Sequence, residues 1–155
     1  METYMIPVVT AFFGTLGFSA YYNVGLRIAA VNAACSMSGY FAYMMLYARS
    51  GSIFMSNLLT AVIITVASEL LARRFRVPTT MLLVPMLFPE IPGSSLYNMV
   101  WSLFVGETRL SLMYGIELVK IIAALNLGIV LVTALIKIWT NIRDRMRWGR
   151  YEGYR

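Results

Sequence analysis

The sequence predicts an all-α, polytopic membrane protein of about five transmembrane helices, the fourth broken at a Pro-Gly-Ser segment. Three observations carry that prediction. Of 155 residues, 59% are hydrophobic and 13% charged, whereas soluble domains run near ~45–50% apolar and ~25% charged. No charge falls from Thr3 to Leu26, from Ile28 to Ala48, from Ser50 to Ser68 or from Ile121 to Ile136, and crossing the hydrocarbon core takes about 20 mostly apolar residues. Four of the five prolines, Pro78, Pro85, Pro89 and Pro92, fall within fifteen residues and run into Gly93-Ser94-Ser95.

The first apolar stretch, about 3–22, is too long and too aromatic for a cleaved leader and has no basic segment before it, so it reads as a mature helix. A second helix covers about 28–48 and ends at Arg49. A third covers about 53–72 and ends at Arg73, Arg74 and Arg76. From Val77 to Gly106 one regular helix is excluded, because each interior proline removes a backbone donor and clashes with the turn before it. That region reads as a half-helix over 77–88, irregular backbone over 89–95 with Ser94 or Ser95 as N-cap, and a second half-helix over 96–106. The last helix is expected over about 116–140, with a basic tail over 141–155. No soluble domain or long linker interrupts the chain, which is read as one transmembrane domain, residues 1–155.

Lysine and arginine placement distinguishes one broken crossing from a re-entrant hairpin, since cytoplasmic ends are rich in basic residues. A single broken crossing puts ten of the thirteen on one face and leaves Arg49, Arg109 and Lys120 opposite. A hairpin divides them six against seven. The one-sided count favours five crossings in the cell's inner (plasma) membrane, with the N-terminus outside and the C-terminus in the cytoplasm.

The break is the leading site candidate, because non-helical backbone at membrane depth is tolerated only against protein or a watery cavity. Pro85, Pro89 and Pro92 set it. The Gly93-Ser94-Ser95 start of the second half-helix offers free N–H groups and partial positive charge to a carboxylate, and Tyr97 and Asn98 follow as further solute contacts. Glu90 lies within the break and is a candidate for proton coupling, as ionisable residues at depth generally are; a break near the interface would instead leave it solvated. Glu69, one turn before Arg73, is a second proton candidate or one half of an i, i+4 ion pair. Asn23, Asn32, Asn57 and Asn126 read as interhelical hydrogen-bond partners. Ala30, Ala34, Ser38 and Ala42 form a small-residue ridge for close helix packing, and Gly14 and Gly17 open a similar face on the first helix. Tyr4, Tyr47, Trp139 and Trp148 suit the membrane interfaces.

Other chemistry is excluded by what is missing. There is no histidine and one cysteine, Cys35, so imidazole catalysis, a Ser-His-Asp arrangement and a thiolate metal site are all out. No enzyme, cofactor or metal is indicated. The net charge of +6 marks topology rather than nucleic-acid binding, and the basic-aromatic tail from Arg143 suits anionic lipid headgroups.

Several segments, taken in order, resemble the threonine/serine exporter family. They are Ala11-Phe12-Phe13-Gly14-Thr15-Leu16-Gly17-Phe18, Asn23-Val24, Ser68-Glu69-Leu70-Leu71-Ala72-Arg73-Arg74, Val77-Pro78-Thr79-Thr80, Val84-Pro85 through Ile91-Pro92-Gly93-Ser94-Ser95-Leu96-Tyr97-Asn98-Met99, and Gly106-Glu107-Thr108. The likeness covers about residues 7–138 and is to the short subunit, equivalent to the C-terminal membrane half of single-chain members. Two positions depart from the family pattern: Gly25 stands where proline is usual, and Glu90 where an apolar residue is. The resemblance implies export of threonine and serine, or of small dicarboxylates such as succinate, with a longer membrane subunit as partner. An odd number of crossings gives the two halves opposite orientation, as in inverted-repeat transporters. Homo-oligomerisation is the other way to complete a transport unit. A different class of function, a structural or assembly subunit that stabilises its partner without touching solute, is discriminated by reconstituting the partner alone.

Overall fold

The computed structural model describes residues 2–152, with side chains placed for residues 5–143. The expectations for Tyr4, Trp148 and the tail beyond Arg143 lie outside those side chains. All regular structure among the described residues is helical: α1 (Glu2–Tyr21), α2 (Leu26–Ser50), α3 (Ile53–Phe75), α4 (Thr80–Leu87), a 3-10 turn (Phe88–Glu90), α5 (Gly93–Phe104) and α6 (Thr108–Glu152). Two segments, Ile53–Phe75 and Thr108–Arg143, are long and apolar enough to cross a membrane by length and composition.

Local chemistry explains the turns. α2 ends at Gly51, whose φ of +62° is the left-handed conformation that lets its N–H return to the Tyr47 carbonyl. The Ser52 hydroxyl then accepts from the Met55 N–H and opens α3. α3 closes on Arg76, also left-handed at φ +57°, with its N–H on Ala72. Gly106, at φ +84°, reverses the chain between α5 and α6.

Helix directions follow from the cross-contacts. The Thr15 hydroxyl donates to Ser36, and Asn32 donates to Ser19, so α1 and α2 are antiparallel. α2 and α3 are antiparallel too, meeting at Gly39 and Ile64 in mid-helix and at Ser50 and Ser56 beside their turn. α6 meets α3 where Gly128 sits against Leu58, Ala61 and Val62, while Asn57 shares a cavity wall with Glu117 and Ile121. Contact positions therefore rise together along both chains, and α6 runs in the same sense as α3. α5 pairs back on α6 through Ser95 with Glu117 and Met99 with Ser111, so it is antiparallel to α6. α4 runs alongside α2, with the Met81 carbonyl on Asn32 and Phe88 and Pro89 beside Tyr40. α4 and α5 thus continue in one direction across the break.

The interior is polar and the exterior apolar, the reverse of a soluble bundle. Thr15, Ser19, Asn32, Ser36, Thr60 and Thr65 are essentially inaccessible, whereas Phe13, Leu70, Leu112, Val119 and Leu135 are more than half exposed. A lipid-facing surface needs no polar coat, since lipid tails are as apolar as leucine. The apolar core that does exist gathers Ile64, Ala72, Leu82 and Met86 where α4 tucks between α2 and α3.

Three expectations are corrected. The irregular stretch is not 89–95: the 3-10 turn prolongs α4 and only Ile91 and Pro92 stand outside regular structure. Neither Ser94 nor Ser95 is the N-cap; that place is taken by Pro92, which cannot continue a helix backwards, and both serines lie within the first turn. The last helix begins at Thr108 rather than 116, because the Gly106 turn folds the chain back so that the Ser111 hydroxyl donates to the Met99 carbonyl of α5. Apart from these three, the inner seam of α2 consists of Ala29, Asn32, Ala33, Ser36 and Gly39, and the small-residue ridge Ala30, Ala34 and Ser38 faces outwards, away from the helices of this chain.

Candidate functional site

The break opens a cavity of about 130 Å³, room for roughly four waters at ~30 Å³ each. Its floor is the chain from Pro89 to Pro92. Tyr40 and Tyr43 of α2 wall one side, Asn57 of α3 another, and Glu117 and Ile121 of α6 a third, with Ser94 and Ser95 of α5 closing it. Four separate helices therefore meet on the Glu90 side of the Pro-Gly-Ser segment, while Ile91 and Gly93 face outwards.

Glu90 is held in the wall of this cavity by the 3-10 turn and is 6% exposed. Its Oε1 has no hydrogen-bond partner, and among the described residues no lysine or arginine lines the cavity. An ionised carboxyl taken from water without a partner is costly, so this side chain needs a proton or a cation to share its site.

The second acid is Glu117. Its Oε1 accepts a 3.0 Å hydrogen bond from the Ser95 hydroxyl, which ties the first turn of α5 to α6. Sequence reasoning passed over it, because a last helix begun at residue 116 makes Glu117 an interfacial charge. The available signal was the largely apolar run Leu110–Tyr114, which continues the helix upstream and sets Glu117 about two turns inside it.

Within the first turn of α5, the Gly93 N–H is taken by the Ile91 carbonyl and the Leu96 N–H by that of Pro92. No side chain caps the helix. The Ser94 and Ser95 N–H groups are left as free donors among the described residues, on two residues that line the cavity.

The other expected site residues lie elsewhere. Gly93 is exposed and a Cβ on it would meet nothing within 4 Å. Tyr97 is 66% exposed and Asn98 is half-buried; neither lines the cavity. Pro89 and Pro92 line it, while Pro85 is buried in α4 beside the core. Glu69 is half-buried on α3, away from the cavity, and makes no ion pair with Arg73 within 4.0 Å among the described residues. Of the four asparagines, Asn32 alone is bonded between helices, to Ser19 and to the Met81 carbonyl. Asn57 and Asn126 bond back to their own helices at Ile53 and Ile122, and Asn23 takes the left-handed turn that ends α1.

A second, more apolar groove of about 400 Å³ runs along α1 between Ile6, Pro7, Thr10 and Gly14. Tyr40 and Pro89 line both spaces and are the partition between them.

A bundle with a polar interior, an apolar exterior and a small acid-lined cavity at a helix break has the build of a solute transporter. The chain belongs to the threonine/serine exporter family, ThrE, whose sequence model matches residues 7–135. This is a family of transporters rather than enzymes. No curated protein and no solved structure matches the chain.

Proposed function

We propose that this chain is a subunit of a proton-driven secondary transporter that exports threonine- or serine-sized solutes, working with a longer partner subunit of the same family. The observation that carries the reading is the cavity at the break, where the unpartnered carboxyl of Glu90 and the free N–H groups of Ser94 and Ser95 converge. A proton and a cationic solute group compete for one carboxyl, and that competition is the chemistry of antiport: the solute leaves as a proton takes its place. Small dicarboxylates are the other solute class. Five crossings of the inner membrane, N-terminus outside, are supported by the common direction of α4 and α5 and by the one-sided basic residues.

The outward face of α5, with Leu96, Tyr97, Val100, Trp101, Leu103 and Phe104 exposed, is open to other membrane helices as well as to lipid, and assembly with them is the second role. Efflux of labelled threonine, serine and succinate is measured from cells lacking the gene and supplied with this subunit, the partner, or both. Export is expected only with both. Full export by the partner alone would replace the transport role with the assembly role.

A further inference from the structure

The proposed function leaves the charge of the cavity unexplained. Two carboxyls face about 130 Å³ of space, and the sole positive potential supplied by lining groups is the α5 N-terminus, worth roughly half an elementary charge. A dicarboxylate there would meet the like charge of Glu117, and that of Glu90 whenever its proton leaves. A bare cation would leave the free Ser94 and Ser95 N–H groups unused.

Building on the exporter reading, we infer that Glu117, facing Glu90 across the cavity, is the specificity-determining counter-charge for the ammonium group of the solute, while the first turn of α5 receives the solute's carboxylate. The site therefore admits α-amino acids and rejects dicarboxylates.

The geometry assigns each part. The Ser95 hydroxyl occupies one oxygen of Glu117 at 3.0 Å and leaves the other free. Glu90 also lines the cavity, with its Oε1 enclosed and without a protein partner. An ammonium group has three donors, enough for both acids and for a neighbouring acceptor, either Asn57 or a tyrosine hydroxyl. The free N–H pair belongs to the residue that bonds Glu117 and to its neighbour, so both ends of an α-amino acid are met around the first turn of α5. Tyr40 and Tyr43 are the titratable groups on the α2 side; Lys120, one turn along α6, is exposed and outside the lining. The small volume limits the side chain to a few atoms.

The test compares three solutes in cells carrying the full chain and its partner: threonine, its deaminated analogue 3-hydroxybutyrate, and succinate. The unaltered protein is expected to export threonine at least about tenfold faster than either acid, since a lost charged hydrogen bond is worth roughly tenfold to a hundredfold. Glu117→Gln is expected to lower the preference for threonine over 3-hydroxybutyrate by that factor, because only threonine has an ammonium to lose. Glu117→Asp keeps the charge on a shorter arm and is expected to raise KM for threonine with the preference retained. This variant decides the matter if Glu117→Gln fails to accumulate. Succinate export equal to that of threonine in the unaltered protein, or undiminished threonine preference in Glu117→Gln, overturns the inference and leaves the exporter reading standing. No export of any of the three overturns both.

Discussion

Gly128 is where α6 comes closest to α3, and replacing it with alanine measures how tight that seam is. A Cβ there would stand 2.7 Å from the Ala61 Cβ, 3.0 Å from the Leu58 carbonyl oxygen and 3.3 Å from the Val62 nitrogen. Carbon atoms rest at about 3.5–4.0 Å, so the first contact alone is short by roughly 1 Å. Two of the three obstacles are backbone and the third is a Cβ on a fully buried residue, so relief requires the helices to part. Overpacking of this kind costs about 1–3 kcal/mol, against a gain of up to ~1 kcal/mol because alanine is the better helix former. Gly39→Ala is the matched control. Its Cβ would meet Ile64 at 2.8 Å from Cδ1 and 2.9 Å from Cγ1, atoms of one side chain that can shift without the backbones parting, for about 0.5–1.5 kcal/mol. Gly39→Ala should come out near neutral and Gly128→Ala destabilised by about 1–2 kcal/mol, a tenfold or greater change in the folded-to-unfolded ratio at the upper half of that range. Gly17→Ala, which meets nothing, supplies the baseline. Reversible unfolding in mixed detergent micelles, followed by tryptophan fluorescence, gives all three. A Gly128→Ala protein as stable as Gly39→Ala would refute the close α3–α6 approach.

Other outcomes follow from single residues. Asn32→Ala removes the hydrogen bonds that join α2 to α1 and to the Met81 carbonyl of α4; a loss of about 1–2 kcal/mol is expected from interhelical bonds of this kind, read as a lower unfolding midpoint. Gly106→Ala forces a side chain into φ +84° and should cost about 1 kcal/mol or more, with limited proteolysis now cutting between α5 and α6. Glu90→Gln leaves a neutral side chain of the same shape, so solute exchange down a gradient should persist while the response of efflux to external pH flattens. A pH profile unchanged from the original would remove Glu90 from proton coupling.

How much could be read in advance depended on whether the signal was local. Pro89 and Pro92 act through missing donors and steric clash at their own positions, and the break lies beside them at Ile91 and Pro92, whereas Pro85 stays within α4. The uncharged runs similarly located α1, α2 and α3 to within a few residues. What could not be read were the features decided between helices. On α2, the stripe Ala30-Ala34-Ser38 and the stripe Ala29-Ala33-Ser36 are equally small, and in a soluble protein the polar face would have named the outside. Here no such contrast exists, since an exterior suited to lipid is apolar and the interior holds Thr15, Asn32 and Ser36.

The same inversion explains why Glu117 escaped notice and Glu90 did not. Glu90 sits among prolines and is conspicuous in one dimension. Glu117 sits in an ordinary amphipathic-looking stretch, and its place in the cavity depends on the Gly106 reversal that brings Ser95 within 3.0 Å of it. A helix break supplies unpaired backbone, but it cannot by itself choose a charge for its solute. That choice is made by whichever neighbour the chain folds back alongside it, and here that neighbour carries an acid.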